Sequence, residues 1–358
     1  MMNATVIPAR DLTSAHVAAW DAIQRADRNL ASPFFRPEFA QAVAEVRPDA
    51  EVAVIERNGK VVGFFPFQRQ RGNVGRPVGG PLSDYHGIVL QAGTTVYLEE
   101  LFDLCGLSAW HFDHLIAAQA AFKEHHWLQT SSPYINISNG FEAYQAGRRL
   151  AGSQVVAKTL QKKRKLEREV GSIRFESENR DPRILETLIR WKGEQYRKSV
   201  LYDMFAPDWT RELFHNLLTT SDPAFCGTMS VLYVNDQVAA VFYVLRSYQV
   251  AHAWCTAYRR DLAKYSPGYQ LLLETIRSAE ALGIEHIDLG RGDERYKQSF
   301  MSDSIPLAEG SVDLRTATRA IRKLWHHTHR WIGDSSFRKP FTLPWRCIKR
   351  ELHRAAFR

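Results

Sequence analysis

Apolar and polar positions alternate at Val52, Val54 and Glu56, and an apolar run over residues 61–67 answers them across Asn58-Gly59. Asn-Gly between two such runs predicts a tight hairpin, because both turn positions take a positive φ. Upstream, apolar residues recur at helical spacing over residues 15–26 and 37–46, the second stretch following the turn-like Ser32-Pro33-Phe34-Phe35. The same grammar returns later: helices over residues 183–198 and 207–218, then a hairpin whose strands flank Asn235-Asp236-Gln237. Asn58 and Asn235 lie 177 residues apart, and Gly63-Phe64 falls on Ala240-Val241 at the same offset. Helix, helix, hairpin, given twice at half the chain length, predicts a duplicated domain.

After the second hairpin the pattern changes. Residues 250–255 form an apolar run that reads as a buried strand, and residues 256–265 are polar and basic. A helix follows with Leu271, Leu272, Ile276, Ala279 and Leu282 on one side, stopping at Gly283. Residues 284–290 read as a second short strand and 291–297 as a polar loop. Ser266 is the expected N-cap, and Pro267 suits the first helical turn because it needs no amide partner there. Free amides at that helix start, with Arg259, Arg260 and Lys264 beside them, suit a pyrophosphate. An ordinary surface loop between two core elements fits the same pattern equally well.

Residues 141–168 read as strongly helical and carry the basic run Lys158, Lys162, Lys163, Arg164, Lys165 and Arg168, either a solvated inter-domain face or a phosphate contact. From Ser311 to the end, 12 Lys and Arg stand against three carboxylates, a net of +9 in a chain of net charge +8. The basic character therefore belongs to the tail. Ile321, Leu324, Trp325, Thr328, Trp331 and Ile332 there recur at helical spacing beside basic residues. Such an amphipathic tail suits a membrane surface, a partner or its own protein body. At 358 residues the chain has room for two ordinary domains. It shows neither a signal-peptide pattern nor a run of the roughly 18–20 apolar residues that span a membrane, which points to the cytoplasm. The four cysteines match no zinc or redox spacing, and His326-His327-Thr328-His329 lacks partnering ligands, so no metal is expected.

Candidate chemistry gathers in three places. Arg69-Gln70-Arg71-Gly72-Asn73-Val74-Gly75 looks like a pyrophosphate loop, but Arg76-Pro77-Val78-Gly79-Gly80-Pro81 follows it and cannot open a helix. The glycines and prolines of residues 72–87 predict a long exposed loop, and loops carry sites. Asp84, Tyr85 and His86 sit on it, a carboxylate, a phenol and an imidazole suited to taking a proton from an attacking hydroxyl or amine. On the predicted helix over 183–198, Lys192, Gln195 and Tyr196 share a face next to Trp191, which suits a polyol.

In this order the motifs resemble the FemAB-related branch of the GNAT acyltransferases, in particular the CelD/BcsL-type group associated with cellulose and exopolysaccharide biosynthesis. The resemblance runs from about Ser32 to Met301. It is carried by Pro33-Phe34-Phe35, the 80–87 loop, the basic 158–168 helix, Trp191-Lys192 to Tyr196, Tyr265-Ser266-Pro267-Gly268, Asp288-Leu289-Gly290 and Tyr296-Lys297. It implies an α+β fold with mixed sheets. Two tandem GNAT-like domains, residues 1–150 on the acceptor side and 151–312 on the donor side, would precede the 313–358 tail. It implies a donor arm along a splayed strand at His252, Trp254 and Thr256, with its pyrophosphate at Tyr258, Arg259, Arg260, Ser266 and Gly268. The pyrophosphate loop departs from the usual Gly-rich form, so acyl-CoA (acetyl-CoA or longer), an acyl carrier protein and aminoacyl-tRNA stay open as donors.

The reading is direct acyl transfer from acyl-CoA to a hydroxyl or amine of a sugar, polysaccharide or cell-envelope precursor. Asp84 is the first choice as base, then His86, then Asp288. By the resemblance, Lys297 stabilises the tetrahedral transition state, while Tyr85, Trp191, Lys192, Gln195, Tyr196 and Tyr296 surround the acceptor. DNA is not an expected partner, and tRNA enters only under a Fem-like aminoacyl transfer. A non-catalytic scaffold for polysaccharide synthesis, docked at the membrane face through the tail, is the alternative outside enzymes.

Overall fold

The computed structural model describes residues 2–199 and 202–315, together with Arg354 and Phe357. The first half runs β1 (Met2–Pro8), α1 (Ser14–Ala26), α2 (Pro37–Val46), β2 (Ala50–Arg57), β3 (Lys60–Gln70), β4 (Val74–Arg76), β5 (Val89–Leu90), α3 (Leu98–Cys105), β6 (Ala109–Ile116) and β7 (His126–Asn136). Then come α4 (Gly140–Leu150), α5 (Val155–Glu169), β8 (Ile173–Asn179), α6 (Pro182–Ser199), α7 (Asp208–Thr219), β9 (Phe225–Val234), β10 (Gln237–Ser247), β11 (Val250–Tyr258), α8 (Pro267–Ala279), β12 (His286–Asp288), α9 (Arg295–Phe300) and β13 (Asp303–Asp313). Both expected hairpins form, with positive φ at Asn58 and Gly59 in the first and at Asn235 and Asp236 in the second.

The strands join in one sheet ordered β1-β2-β3-β4-β6-β13-β7-β12-β11-β10-β9-β8, with β5 beside β3. Read from either end the order is the same architecture: three antiparallel strands, a fourth, a parallel neighbour, then a long central strand. β7 and β13 are equal in length and 177 residues apart, matching the hairpin offset. They lie side by side at the centre, and each has crossed over. β13 pairs with β6 of the first half, and β12 pairs with β7.

Helices cover both faces. On one face α1, α2, α6 and α7 share a single core, in which Trp20, Phe35 and Phe39 join Leu185, Leu188, Leu213 and Phe214. On the other face each half has its own core, Phe65, Phe102, Trp110 and Phe122 in the first and Leu271, Ile276, Ile287 and Phe300 in the second. Each of these side chains buries apolar area worth about 1.5–3 kcal/mol against exposure. The shared face locks the two halves together.

Several expectations need correction. The 72–87 stretch is not an exposed loop. It forms β4 and a 3-10 turn over Gly80–Leu82, and Leu82, Ser83, Tyr85 and His86 are buried. Residues 141–168 form two helices, broken around Ala151-Gly152, where Gly152 takes a positive φ. The strand begun at Val250 runs on through Tyr258, and the polar loop after Gly290 closes into the short α9. Ser266 stands at the N-cap position of α8, but its side chain caps nothing and instead accepts from Lys162 Nζ at 2.7 Å. The tail helices, the histidine cluster and Cys347 lie outside the described residues. Phe357, which is described, packs against Tyr202 and Trp209, and its carbonyl accepts from Trp209 Nε1 at 3.1 Å.

Candidate active site

A fork in the sheet builds the site. β11 and β12 run parallel only over Val250↔His286, Ala251↔Ile287 and His252↔Asp288; β12 then ends while β11 continues six residues to Tyr258. Beyond the fork, that edge of β11 has no strand partner among the described residues. A register shift in its pairing with β10, around Tyr243 and Val244, places a bulge at Trp254, as bulges beside active sites commonly do. The first half has the equivalent parallel pair, Val74↔Ala109 and Gly75↔Trp110. There the chain itself returns alongside: His86 bridges Leu115, and β5 joins β3. That segment carries Asp84 and Tyr85 across to the second half's fork.

At the vertex a buried imidazole lies between two carboxylates. His252 Nε2 is 2.7 Å from Asp84 Oδ2, and its Nδ1 is 3.2 Å from Asp288 Oδ1. Asp288 also accepts from the Tyr85 hydroxyl, from Ser132 Oγ at 2.8 Å and from the Gly290 amide at 2.7 Å. Phe34 presents an edge to the imidazole at 4.9 Å between centroids. Gly290 has φ +74°, and a Cβ there would stand 3.2 Å from Asp84 Oδ2, so the turn that aims its amide at Asp288 needs glycine.

Electrostatics fix the charge states. Burial alone would depress the His252 pKa, but the hydrogen bonds and charges of Asp288 and Asp84 overcome it and raise it to about 9. His252 is therefore a cation at neutral pH, its Nε2–H bonded to Asp84 and its Nδ1 in ion-pair range of Asp288 without hydrogen-bond geometry. Burial works against ionisation of Asp84 and Asp288 as well, yet His252 holds both below the usual carboxylate range. Burial and Asp288 push Tyr85 well up, so it stays a phenol.

A second polar group adjoins Asp84. β6 carries a bulge: Ala308 faces Leu115 and Gly310 faces Phe112, so Asp113 and His114 together oppose Glu309. His114 Nδ1 lies 2.9 Å from Asp113 Oδ1, and its Nε2 lies 3.8 Å from Asp84 Oδ1. His86 gives its Nε2–H to the Ser83 carbonyl at 2.9 Å and accepts the His114 amide on Nδ1 at 3.2 Å. Burial brings its pKa down to about 4, so His86 is neutral and fully engaged. Ligand atoms of His86, Asp113 and His114 fall within 4.8 Å of one another, the spacing of a metal cradle. His86 has both ring nitrogens engaged and His114 turns its Nδ1–H on Asp113, however, and the charges of Arg76 and Arg291 act on Asp113. A hydrogen-bonded network accounts for them better than a cation.

The expected site residues thus divide. Asp84, Tyr85, His252 and Asp288 converge, with His86 one contact removed. Lys297 is buried nearby, but its ammonium bonds the Gly290 carbonyl at 3.0 Å and the Arg291 carbonyl at 2.8 Å and pairs with Glu294 at 3.1 Å, holding the loop that follows β12. Tyr296 sits beside Tyr269 of α8, and its phenol feels the Asp84 charge. Trp191, Lys192, Gln195 and Tyr196 do not reach the vertex: Trp191 packs into the shared core, Gln195 is exposed, and the Lys192–Tyr196 pair lies near Cys255. Cys255 is three residues past His252, about 10 Å along the strand.

On the donor side, Trp254 turns away from the fork, stacking on Phe214 and donating to the Leu82 carbonyl at 2.8 Å, and Thr256 donates to Val241. Tyr258 is exposed. Arg259 is held by Asp261 and Gln237, Arg260 is exposed, and Gly268 lies in the first turn of α8. Ser132, Asp113 and His114 were missed, and Gly290 entered only as part of the Asp288-Leu289-Gly290 motif. The one sequence signal was the polar pair Asp113-His114, which breaks the alternation of β6. A cavity of about 560 Å³ between Glu178, Arg180, Asp222, Arg246 and Tyr248 includes none of these groups, so convergent chemistry rather than volume locates the site.

A mixed sheet that forks between parallel strands, with helices on both faces, is a GNAT-type architecture, present here twice. Residues 154–298 match the acetyltransferase (GNAT) domain family. No curated protein matches the chain. Among solved structures, FemX is similar at a TM-score of 0.59 and 10% identity, covering 86% of this chain and 98% of FemX. The C-terminal domain of a putative lysylphosphatidylglycerol synthetase from Agrobacterium fabrum follows at 0.52 and 12%, covering 87% and 95%. A tandem GNAT protein from the clavulanic acid biosynthesis pathway is similar at 0.50 and 10%, covering 88% and 99%. At these identities the likeness is one of fold; the family match over residues 154–298 is what supports an acyltransferase.

Proposed function

We propose that the chain moves an acyl group from a thioester, acyl-CoA first, to a hydroxyl or amine of a sugar or cell-envelope precursor. The observation that carries this reading is the fork, with Asp84, His252 and Asp288 at its vertex. An extended donor arm would add to the unpaired edge of β11 through backbone hydrogen bonds, as peptides add to exposed strands. Its pyrophosphate would meet the first turn of α8, where Lys162 already approaches Ser266 and Arg259, Arg260 and Lys264 lie close in sequence. The reacting carbonyl then stands beside the vertex, and the acceptor approaches over Asp84. The nucleophile belongs to the acceptor, so no covalent enzyme intermediate is needed.

The CelD/BcsL-type resemblance supports an exopolysaccharide or cellulose setting at the cytoplasmic face of a membrane, with residues 313–358 contacting the surface or a synthase. Incubation with a panel of acyl-CoAs and amino sugars, reading released thiol, tests the reaction. Absence of acceptor-stimulated release with every chain length counts against coenzyme A as donor. The second reading is Fem-like aminoacyl transfer, supported by the exposed cations Lys158, Lys162, Arg164, Lys165 and Arg168 of α5 beside α8. Binding of charged tRNA that weakens steeply between 50 and 200 mM salt, on the order of tenfold or more, would favour it.

A further inference from the structure

We propose that His114, held by Asp113, is the general base that takes the acceptor's proton, and that Asp84 anchors the same acceptor atom without keeping that proton. This rests on the acyl-transfer reading above. Asp84 spends Oδ2 on the cationic His252, which leaves Oδ1 as the oxygen facing His114 Nε2. Asp113 is a carboxylate and can only accept, so the 2.9 Å contact requires a proton on His114 Nδ1. The Nε2 lone pair of neutral His114 is thereby directed towards Asp84. The 3.8 Å gap between Nε2 and Oδ1 is too long for a good hydrogen bond. It is short enough that one amine nitrogen, about 2.8 Å from each and set off the line between them, gives one N–H to each. An acceptor atom there is fixed by two groups, and one of them is free to take a proton.

Backbone devices hold this arrangement. The β6 bulge brings Asp113 and His114 together, and the His86–Leu115 bridge clamps the other edge of β6 while the His114 amide donates to His86. The charged and titratable groups facing His114 are Asp113 on its own strand, Asp84 and His86 from the segment between β4 and β5, and Arg291 from the loop after β12. Burial opposes its protonation, but Asp113 and Asp84 prevail and its pKa lies above that of a free imidazole. A base of this kind suits a reaction near neutrality, whereas Asp84 is held too acidic to keep a proton.

The step balances. The acceptor X–H bond breaks as the X–acyl bond forms, and the proton passes to His114 Nε2. The thioester C–S bond breaks and the thiolate leaves. The imidazolium then returns the proton to the thiolate, or to water beside Asp113, whose side chain is 52% exposed.

The test has two arms. In the first, ¹⁵N spectra of histidine-labelled protein, assigned by the loss of one signal in His114→Gln, report the tautomer. In the neutral imidazole, above its pKa, a proton on Nδ1 is expected, displaced in Asp113→Asn and restored in Asp113→Glu; a neutral imidazole with its proton on Nε2 overturns the proposal even if no acyl transfer is ever seen. In the second, thiol release from acetyl-CoA is followed with glucosamine and with hydroxylamine, a nucleophile reactive without a base. His114→Gln should lower kcat about a hundredfold or more with glucosamine, with KM little changed and the acidic limb of the pH profile gone. Hydroxylamine-dependent release should stay within about threefold. Equal losses with both nucleophiles, or an unchanged acidic limb, overturn the proposal. Wild-type enzyme that is silent with both nucleophiles refutes acetyl-CoA as donor, and the tautomer arm then decides the assignment of Nε2 alone.

Discussion

Titrating His252 should unlock the centre of the molecule. Its pKa is about 9 in the folded protein and about 6.5 in an unfolded chain. A raised pKa means the folded state holds the proton more tightly. The associated stability is complete below pH 6.5 and disappears as pH rises through 9. The shift corresponds to about 3 kcal/mol at pH 6, about 2.5 at pH 7 and almost nothing at pH 10. His252 is fully buried, so solvent screening takes little from this figure. For a chain of this size, 2.5 kcal/mol amounts to a melting-temperature change of about 3 °C.

Other groups titrate in the same window, so the measurement is a difference. Urea unfolding of wild type and His252→Gln is compared at pH 6, 7, 8, 9 and 10. At pH 7 the variant should be less stable by about 3–5 kcal/mol, because Asp84 and Asp288 are left without their cation. That gap should close by about 2.5 kcal/mol by pH 10. A gap that stays constant across the series would refute the cationic imidazole and, with it, the charge assignments of both carboxylates.

Asp288→Asn should cost about 2–4 kcal/mol in urea unfolding, because the new amide offers N–H to a site already filled with the donors Tyr85, Ser132 and Gly290. Gly290→Ala should cost about 1–3 kcal/mol, from its positive φ and from the contact with Asp84 that a Cβ would make, and its urea midpoint measures this. Lys162→Ala should raise the KM for acetyl-CoA severalfold while kcat holds, since Lys162 reaches from α5 to Ser266 at the start of α8, away from the vertex. EDTA should leave thiol release unchanged, as His86 spends both ring nitrogens on the Ser83 carbonyl and the His114 amide and has none left for a metal.

Local elements were legible in the sequence because local chemistry sets them. Asn58-Gly59 and Asn235-Asp236 accept the positive φ of their turns, α2 starts at its proline, and Gly283 terminates the helical stretch that begins at Pro267. The duplication was legible from the repeated order of those elements. The crossing of β7 and β13 was not, because strand partners are chosen by burial across the whole sheet, and nothing within residues 303–313 names β6 as their neighbour. Asp84, Tyr85 and Asp288 could be singled out by type and motif. Their meeting with His252 depends on how the first half's chain fills its own fork. The 72–87 stretch reads as exposed because glycine and proline mark turns, yet here they let the backbone thread a buried path. Asp113 and His114 escaped notice because a bulge is a pairing property, visible only once Glu309 lies opposite.

The crossed central strands also set an order of assembly. β13 is the last strand among the described residues and enters between β6 and β7, so the first half cannot close its sheet during synthesis until residues 303–313 have emerged. Until then β6 and β7 expose long unpaired edges, the kind that recruits other chains. This late, distant pairing should be the slow step of folding and the point at which a nascent chain most needs protection. It also means that the two halves, although each repeats the same architecture, are not separable parts: one made without the other lacks the strand that seals it.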